Sequence, residues 1–246
     1  MKCLILAAGY ATRLYPLTKD FPKPLLKVGE KTILDWLIDD IETSGKVDEY
    51  VVVSNRRFAH HFETWAAAHS QKITVVDDGT STNETRLGAV CDIQFAIDKL
   101  GIDDDLLVLA GDNVLDFSLC GFIEYAQEKG TSCAMRYAEL DAAKLVKCGV
   151  SEIGEGEVLL SLEEKPAAPK SNWCTPPFYF YVKSDVRKIK QAIEDGCGID
   201  APGSLVAWMC THSVMHSMEM PGSRYDIGNL ESYRKVQETY KGIKAQ

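Results

Sequence analysis

A glycine-containing segment near the amino terminus has residue types suited to binding phosphate. The run GYATRL, residues 9–14, directly follows the apolar stretch 2–8. A short turn after a strand can offer backbone N–H groups to phosphate oxygens, and ligands of open α/β sheets bind beyond the carboxyl ends of the strands. The chain lacks both G-x-x-x-x-G-K-[ST] and G-x-G-x-x-G. The chain therefore lacks the main motifs of simple nucleotide hydrolases and of dinucleotide dehydrogenases, and a phosphate site of another type is expected.

Basic residues are concentrated in the same region. Residues 1–31 contain six Lys and Arg against two Asp and Glu, whereas the whole chain of 246 residues has a net charge of −9. Most single lysines are simply solvated. Arg13 and Lys23 differ because they stand close to the rigid residues Pro16 and Pro22. A local basic segment indicates a localised anionic ligand, and the negative net charge of the whole chain argues against a nucleic-acid binder.

The cysteines and histidines predict neither a metal centre nor a disulfide framework. The eight cysteines are scattered without a C-x-x-C pair, and the five histidines show no metal-ligand spacing. A core of this size needs no disulfides, so a cytoplasmic location is expected. No apolar run approaches the roughly 18 residues that a membrane span requires. We interpret the apolar amino terminus as a buried strand and expect no membrane association.

Apolar runs alternate with stretches of helical period over the first 130 residues. Strands are predicted at 2–8, 49–54, 72–76 and 105–110, and helices at 33–41, 58–69, 87–100 and 118–129. Thr32 is the expected N-cap of the first helix, and Asp35 completes a capping box with it. Gly45 is the expected C-cap of the same helix. This order predicts an α/β fold: a doubly wound, mostly parallel, Rossmann-like mixed sheet with helices on both faces.

The pattern changes after about residue 130. Strands are predicted at 133–137, 150–153, 158–163 and 178–182, with helices at 184–192 and from Asn229. Fewer helices accompany these strands, which indicates a mixed-sheet elaboration of the same core. No repeat or Pro/Gly-rich linker interrupts the chain. A single domain over 1–246 is therefore expected.

Linked motifs in this chain resemble those of one enzyme family. The run LAAGYATRLYPLT at 6–18, followed by PKPLL at 22–26, resembles the signature L-A-G-G-x-G-T-R-L-x-P-L-T…P-K-P-L-L of the sugar-phosphate nucleotidyltransferases. Later segments agree in the family's order, namely LAGD (109–112), CGV (148–150), EEKP (163–166), SNW (171–173), FYF (178–180) and YDIGN (225–229). The resemblance covers about residues 1–235. It departs at Ala11 for the second loop glycine, at Pro176-Pro177 for Thr-Gly, and at Asn229 for Thr.

The resemblance implies a reaction and a set of site residues. The fold would be of the nucleotide-diphospho-sugar transferase type, like glucose-1-phosphate thymidylyl- and uridylyltransferases, with 1–130 as the nucleotide-binding half and 131–246 as the sugar-phosphate-binding half. A nucleoside triphosphate and a sugar-1-phosphate would be joined with release of pyrophosphate, with Mg²⁺ as cofactor. The implied residues are Arg13 and Lys23 for catalysis; Leu6, Ala8, Gly9, Ala11, Thr12, Asn83, Arg86, Gly88 and Asp112 for the nucleotide; Gly149, Glu164, Lys165 and Tyr179 for the sugar phosphate; and Asp112 and Asp226 for the metal.

The segment DDGTSTNETRLG, residues 77–88, stands where the family reads the base. Asn83 resembles the amide of members that use dTTP or UTP, whereas Thr85 to Leu87 resembles a pattern found with CTP. A pyrimidine nucleotide is expected, with UTP or dTTP ranked above CTP.

Two other functions stay open. One is a cytidylyltransferase acting on CTP and a phosphorylated amino-alcohol or polyol. The other is a non-catalytic module that senses nucleotide sugars, which we would expect to have lost Arg13, Lys23 or a metal carboxylate; all are present. The expected partners are the small-molecule substrates alone, with no nucleic acid and no membrane. A homo-oligomer is compatible with the sequence, which does not fix the oligomeric state.

Overall fold

A computed structural model describes residues 1–244 of the chain. The strands are β1 (Lys2–Leu6), β2 (Lys27–Val28), β3 (Lys31–Thr32), β4 (Glu49–Ser54), β5 (Ile73–Asp77), β6 (Leu106–Ala110), β7 (Asn113–Leu115), β8 (Ser132–Ala138), β9 (Gly149–Ile153), β10 (Leu159–Glu164), β11 (Trp173–Cys174), β12 (Phe178–Tyr181), β13 (Met215–Glu219) and β14 (Arg224–Asp226). The helices are α1 (Ile33–Glu42), α2 (Ala59–Ala66), α3 (Ala89–Leu100), α4 (Cys120–Lys129), α5 (Ala142–Leu145), α6 (Lys183–Val186), α7 (Ile189–Glu194), α8 (Gly203–Met209) and α9 (Leu230–Thr239).

The described chain divides into two compact units. Unit 1 contains Met1–Arg86, Ala110–Gly121 and the described residues from Pro221 onward, and unit 2 contains Leu87–Leu109 and Phe122–Met220. Neither unit is a continuous half of the chain, so this division differs from the boundary expected at residue 130. The difference arises because α3 and most of β6 belong to unit 2, whereas α9 returns to unit 1.

The centre of unit 1 is a parallel arrangement of β1, β4 and β5. Leu4 lies opposite Val51, and Val52 lies opposite Val75. Leu4, Val51 and Val52 are fully buried, as expected for parallel strands, which read as continuous apolar runs. The predicted capping box of α1 is confirmed, because Thr32 and Asp35 exchange hydrogen bonds of 2.8 and 3.0 Å.

A short antiparallel pair in unit 1 fixes the later part of the chain. β14 runs antiparallel to β7, with Asp226 opposite Asn113. The buried residues that pack around this pair include Val114 from β7, Ile227 directly after β14, Val236 from α9 and Tyr240 directly after α9. Helix α9 thereby anchors β14, which carries one of the predicted metal ligands.

Unit 2 mixes antiparallel and parallel strands. β12 lies antiparallel to both β6 and β8, and β13 lies parallel to β8. β9 pairs antiparallel with both β10 and β11. The expected α/β class with a mixed sheet is confirmed. The pairing of β9 with β10 places Glu164 opposite Gly149.

Several elements differ from the sequence expectation. The helix predicted at 184–192 is divided into α6 and α7, and α8 is an addition that periodicity did not indicate. A tertiary contact fixes α6: its buried Asp185 accepts hydrogen bonds of 2.6 Å from both Ser132 and Ser213. Local sequence patterns do not encode such partners. Among residues 1–244, no helix is sufficiently long and apolar to cross a bilayer.

Candidate functional site

The predicted phosphate loop leaves the carboxyl end of β1 and enters a 3₁₀ turn at Thr12–Leu14. Ala11 adopts the left-handed conformation, with φ 46° and ψ 41°. Its carbonyl accepts a 2.9 Å bond from the Leu14 N–H and a 2.8 Å bond from the Thr18 hydroxyl. The left-handed region disfavours residues other than glycine, which explains why the family signature has glycine here. Arg13 is exposed in the 3₁₀ turn.

A buried asparagine that sequence analysis missed braces this loop. The Asn55 side chain is fully buried, and its Nδ2 donates a 2.8 Å hydrogen bond to the carbonyl of Ala8. Its Oδ1 accepts a 3.1 Å bond from the Phe58 N–H. Asn55 therefore links the start of the loop to the chain beyond β4. Its position directly after β4, beside β1, was the signal that could have identified it.

Lys23 and Asp112 form a direct ion pair in unit 1. Lys23 Nζ lies 2.7 Å from Asp112 Oδ2 and donates a second bond of 2.9 Å to the carbonyl of Ile227. The Lys23 side chain is only 12% exposed, so the pair is shielded from much of the solvent. Gly111, directly before Asp112, lies against β1: its N–H donates a 3.0 Å bond to the Leu6 carbonyl, and a Cβ there would lie 3.1 Å from Ile5 Cγ2.

Asp226 completes this group of charges. The Ile227 N–H donates a 3.1 Å bond to the Asp112 carbonyl, which holds the residue after Asp226 against Asp112. Loss of hydration and repulsion by Asp112 raise the pKa of Asp226, whereas the positive charges of Arg224, Lys23 and Arg13 act against that rise. The structure thus brings the predicted catalytic and metal-binding side chains together in unit 1.

The donor chemistry of this group fits a magnesium ion. A bound cation would offset the repulsion between the two carboxylates, and Mg²⁺ is commonly held by one or two carboxylates together with phosphate oxygens and water. Within residues 1–244, no cluster of three or more His, Cys, Asp and Glu side chains has metal-binding geometry. The remaining ligands at Asp112 and Asp226 would accordingly be substrate and solvent oxygens.

The predicted base-reading residues fall in both units. Asn83 and Arg86 are exposed in unit 1, and Arg86 Nη1 donates a 2.9 Å bond to the Asn83 carbonyl. Gly88, in unit 2, precedes α3 with φ 95°, and a Cβ there would lie 2.7 Å from the Ile199 carbonyl oxygen. Gly88 is therefore required by backbone packing. The base-reading role of all three stays a prediction.

A second group of predicted residues lies in unit 2. Glu164 accepts a hydrogen bond from the N–H of Gly203, and burial raises the pKa of its carboxyl group. Lys165 has a left-handed φ of 49° and donates its N–H to the Cys148 carbonyl at 2.9 Å. A Cβ at Gly149 would lie 3.3 Å from Glu164 Oε1. One compact group therefore contains Gly149, Glu164 and Lys165. Gly203, which the sequence analysis did not predict, donates a hydrogen bond to it.

An open cavity of about 320 Å³ adjoins Glu164 in unit 2. Trp208 and Asp195 also line it, and the indole N–H of Trp208 donates a 3.2 Å bond to Asp195 Oδ2. Tyr179, also predicted to contact the sugar phosphate, lies in the central strand β12 with 1% of its surface exposed. Its ring centroid is 6.2 Å from that of Tyr181. Tyr179 therefore packs in the core of unit 2.

Comparisons with known proteins show the family and the fold of the chain. The sequence model of the family described as Nucleotidyl transferase matches residues 2–242. A Sulfolobus acidocaldarius protein with the provisional name mannose-1-phosphate guanyltransferase is 28% identical over 96% of this chain, and the chain spans 62% of that protein's length. The UTP–glucose-1-phosphate uridylyltransferase of Haloferax volcanii is 24% identical over 97% of this chain and 96% of its own. The crystal structure of a UDP-glucose pyrophosphorylase complexed with UDP-glucose shares the fold, with a TM-score of 0.83 and 20% identity over 97% of each chain.

Proposed function

The chain belongs to the nucleotidyl transferase family, and we propose that it joins a pyrimidine nucleoside triphosphate to a sugar-1-phosphate. The products are a nucleoside diphosphate sugar and pyrophosphate. The observation that carries the proposal is the ion pair of Lys23 with Asp112, with Asp226 held beside it in unit 1. Cations that bind phosphate and carboxylates that bind a metal are the two requirements of this chemistry.

The proposed reaction is a displacement at the α-phosphorus of the nucleotide. A phosphate oxygen of the sugar-1-phosphate bonds to that phosphorus, and the bond to the oxygen bridging the α and β phosphates breaks, so that pyrophosphate leaves. The attacking phosphate is largely dianionic at neutral pH because its second pKa is about 6. No general base is needed. The protein must hold two polyanions in line and stabilise the charge that develops.

Residues of unit 1 would act on the nucleotide. Backbone N–H groups of the loop at Gly9 would bind its phosphates, and the exposed guanidinium of Arg13 would neutralise the leaving pyrophosphate. Lys23 would neutralise the α-phosphate. Asp112 and Asp226 would hold the magnesium ion, which when bound would supply positive charge to the phosphate oxygens.

Residues of unit 2 would act on the acceptor. Lys165 would bind the acceptor phosphate, Glu164 would accept hydrogen bonds from sugar hydroxyls, and the backbone of Gly149 would approach the sugar closely. The conformation of Lys165 supports this assignment: a left-handed φ immediately before Pro166 costs free energy, and such strain concentrates at functional sites. The names of the Sulfolobus and Haloferax relatives support a sugar-1-phosphate as the acceptor class, although they differ in the base.

The proposed compartment is the cytoplasm. None of the eight cysteines forms a disulfide within the described residues 1–244. Reduced thiols are typical of cytosolic proteins, whereas secreted proteins commonly carry disulfides.

A pyrophosphate-release assay tests the proposed substrates. Purified protein and Mg²⁺ are incubated with ATP, GTP, CTP, UTP or dTTP, each crossed with several sugar-1-phosphates, a polyol phosphate and phosphocholine. We expect the fastest release with UTP or dTTP and a sugar-1-phosphate, and no release in EDTA or from the Asp226→Asn variant. Preference for a purine nucleotide would refute the pyrimidine assignment. Release only with CTP and phosphocholine or the polyol phosphate would establish the cytidylyltransferase alternative.

A further inference from the structure

Arg224 reaches the metal-binding group through a buried asparagine. Arg224 Nη1 donates a 2.7 Å hydrogen bond to Asn113 Oδ1, and Asn113 Nδ2 donates a 2.6 Å bond to Asp112 Oδ1. Asn113 is 1% exposed, so solvent does not compete for its amide. Asp226 lies opposite Asn113 across the β14–β7 pair, and Arg224 lies two residues earlier on the same face of β14. This placement lets Arg224 reach Asn113 diagonally.

The chemistry of the three groups fixes the direction of each hydrogen bond. A guanidinium can only donate, so the Asn113 atom facing Arg224 must be the oxygen Oδ1. The Asn113 NH₂ group then faces Asp112 and donates to it. Without Arg224 the amide could rotate and present its oxygen to the carboxylate, which would repel it. Lys23 holds the second oxygen of Asp112 at 2.7 Å. Both carboxylate oxygens are therefore restrained by donors of known direction.

We propose that Arg224 and Asn113 are positioning residues that set the orientation of Asp112 for divalent-metal binding. The inference rests on the proposed function, in which Asp112 is a metal ligand. Neither residue needs to touch the metal or the substrates. Their effect is to reduce the number of rotamers that Asp112 samples before the metal arrives, so the entropic cost of ordering the ligand is met during folding.

Metal binding without turnover tests the proposal. Free Mn²⁺ is followed by electron paramagnetic resonance while it is titrated with the full-length wild type, with Arg224→Met, and with Arg234→Met. The last variant removes a positive charge from an exposed position on α9 in the same unit. The charge of Arg224 also acts on Asp226, and its loss alone would strengthen cation binding, so weaker Mn²⁺ binding in Arg224→Met would report the lost orientation of Asp112. We expect Arg224→Met to weaken Mn²⁺ binding by about 10- to 100-fold, the usual effect of losing a group that orients a metal ligand. Arg234→Met should match the wild type.

Thermal unfolding establishes that each variant is folded, and Arg224→Gln replaces Arg224→Met if the latter is not. Equal Mn²⁺ affinity in the folded Arg224 variant and the wild type would overturn the proposal. Steady-state kinetics provide the second readout: Arg224→Met should need more Mg²⁺ for half-maximal rate, with kcat largely restored at saturating Mg²⁺. A protein that transfers no nucleotide but still loses Mn²⁺ affinity in Arg224→Met would refute the proposed function and uphold the positioning role.

Discussion

At the scale of single residues, contacts distant in sequence give the site its chemistry. Lys23 meets Asp112 across 89 positions, and Asn55 meets Ala8 across 47. The first contact pairs a predicted catalytic cation with a predicted metal ligand, and the second holds the start of the predicted phosphate loop. The acceptor group follows the same logic, because Glu164 is fixed by the N–H of Gly203 rather than by a neighbour in sequence.

Gly203→Ala should impair acceptor binding selectively. A Cβ at Gly203 would lie 2.0 Å from Glu164 Oε1. The end of the glutamate side chain can move aside, so the fold should survive while the carboxylate is displaced. We expect KM for the sugar-1-phosphate to rise about tenfold or more, the cost of one hydrogen bond to a charged group, with KM for the nucleotide unchanged.

Gly121→Ala is the matched control, because a Cβ at Gly121 would have no neighbour within 4 Å among the described residues. Steady-state kinetics with each substrate varied in turn give both constants. An unchanged acceptor KM in Gly203→Ala would show that Glu164 is a structural residue of β10 and not a ligand of the acceptor.

At the scale of elements, backbone conformation decides which residue type at loop position 11 gives the more stable protein. The signature has glycine where this chain has Ala11 at φ 46°. A left-handed alanine costs about 1–2 kcal/mol, and glycine recovers most of this while losing about 0.5–1 kcal/mol in chain entropy. Ala11→Gly should therefore raise the free energy of unfolding by up to about 1 kcal/mol. Urea unfolding measures it, and a clear loss of stability would contradict the conformational account.

One carboxylate clamps the three parallel strands of unit 1. Glu49 on β4 accepts hydrogen bonds of 2.8 Å from Lys2 on β1 and 2.6 Å from Thr74 on β5. Burial alone would raise the pKa of Glu49, but these bonds and one from Lys72 hold it at about 2, below its ordinary 4.5. A carboxyl whose pKa falls on folding stabilises the protein above the unfolded pKa, and this stabilisation is lost as the pH falls from about 4.5 to about 2.

In Glu49→Gln, the free energy of unfolding should therefore fall less steeply than in the wild type as the pH is lowered from about 4.5 to about 2. At neutral pH the ionised Glu49 contributes up to about 3 kcal/mol to the free energy of unfolding. We expect the wild type to exceed Glu49→Gln by most of this amount at pH 7, with the difference vanishing near pH 2. Urea unfolding across this pH range is the measurement, and Glu63→Gln, at an exposed position on α2, is the control. Parallel pH profiles for wild type and Glu49→Gln would refute the clamp.

Local sequence signals predicted many helices and strands, whereas contacts between residues distant in sequence could not be predicted. The capping box of Thr32 and Asp35 spans three residues and was predicted from the sequence. The linked motifs predicted Lys23 and Asp112 as site residues, and the structure pairs them. The contact of Arg224 with Asn113 spans 111 positions, and no local pattern encodes it. The break between α6 and α7 and the addition of α8 have the same origin, because contacts across unit 2 override helical periodicity.

At the scale of the whole molecule, the charge distribution favours anionic substrates at one segment. The chain has a net charge of −9, yet residues 1–31 carry six basic against two acidic residues. A phosphate-bearing substrate is repelled by most of such a surface and attracted where Arg13 and Lys23 lie. Nucleotide binding should consequently weaken as ionic strength rises, because screening reduces attraction between exposed charges.

The proposed reaction transfers the α-phosphorus of the nucleotide to the acceptor phosphate. The most direct measurement supplies the preferred nucleotide labelled with ³²P at either the α or the γ position, together with a sugar-1-phosphate and Mg²⁺. We expect the α label in the nucleoside diphosphate sugar and the γ label in pyrophosphate, each only when both substrates are present. Release of γ label as inorganic phosphate, or its transfer to the acceptor, would contradict the proposed reaction.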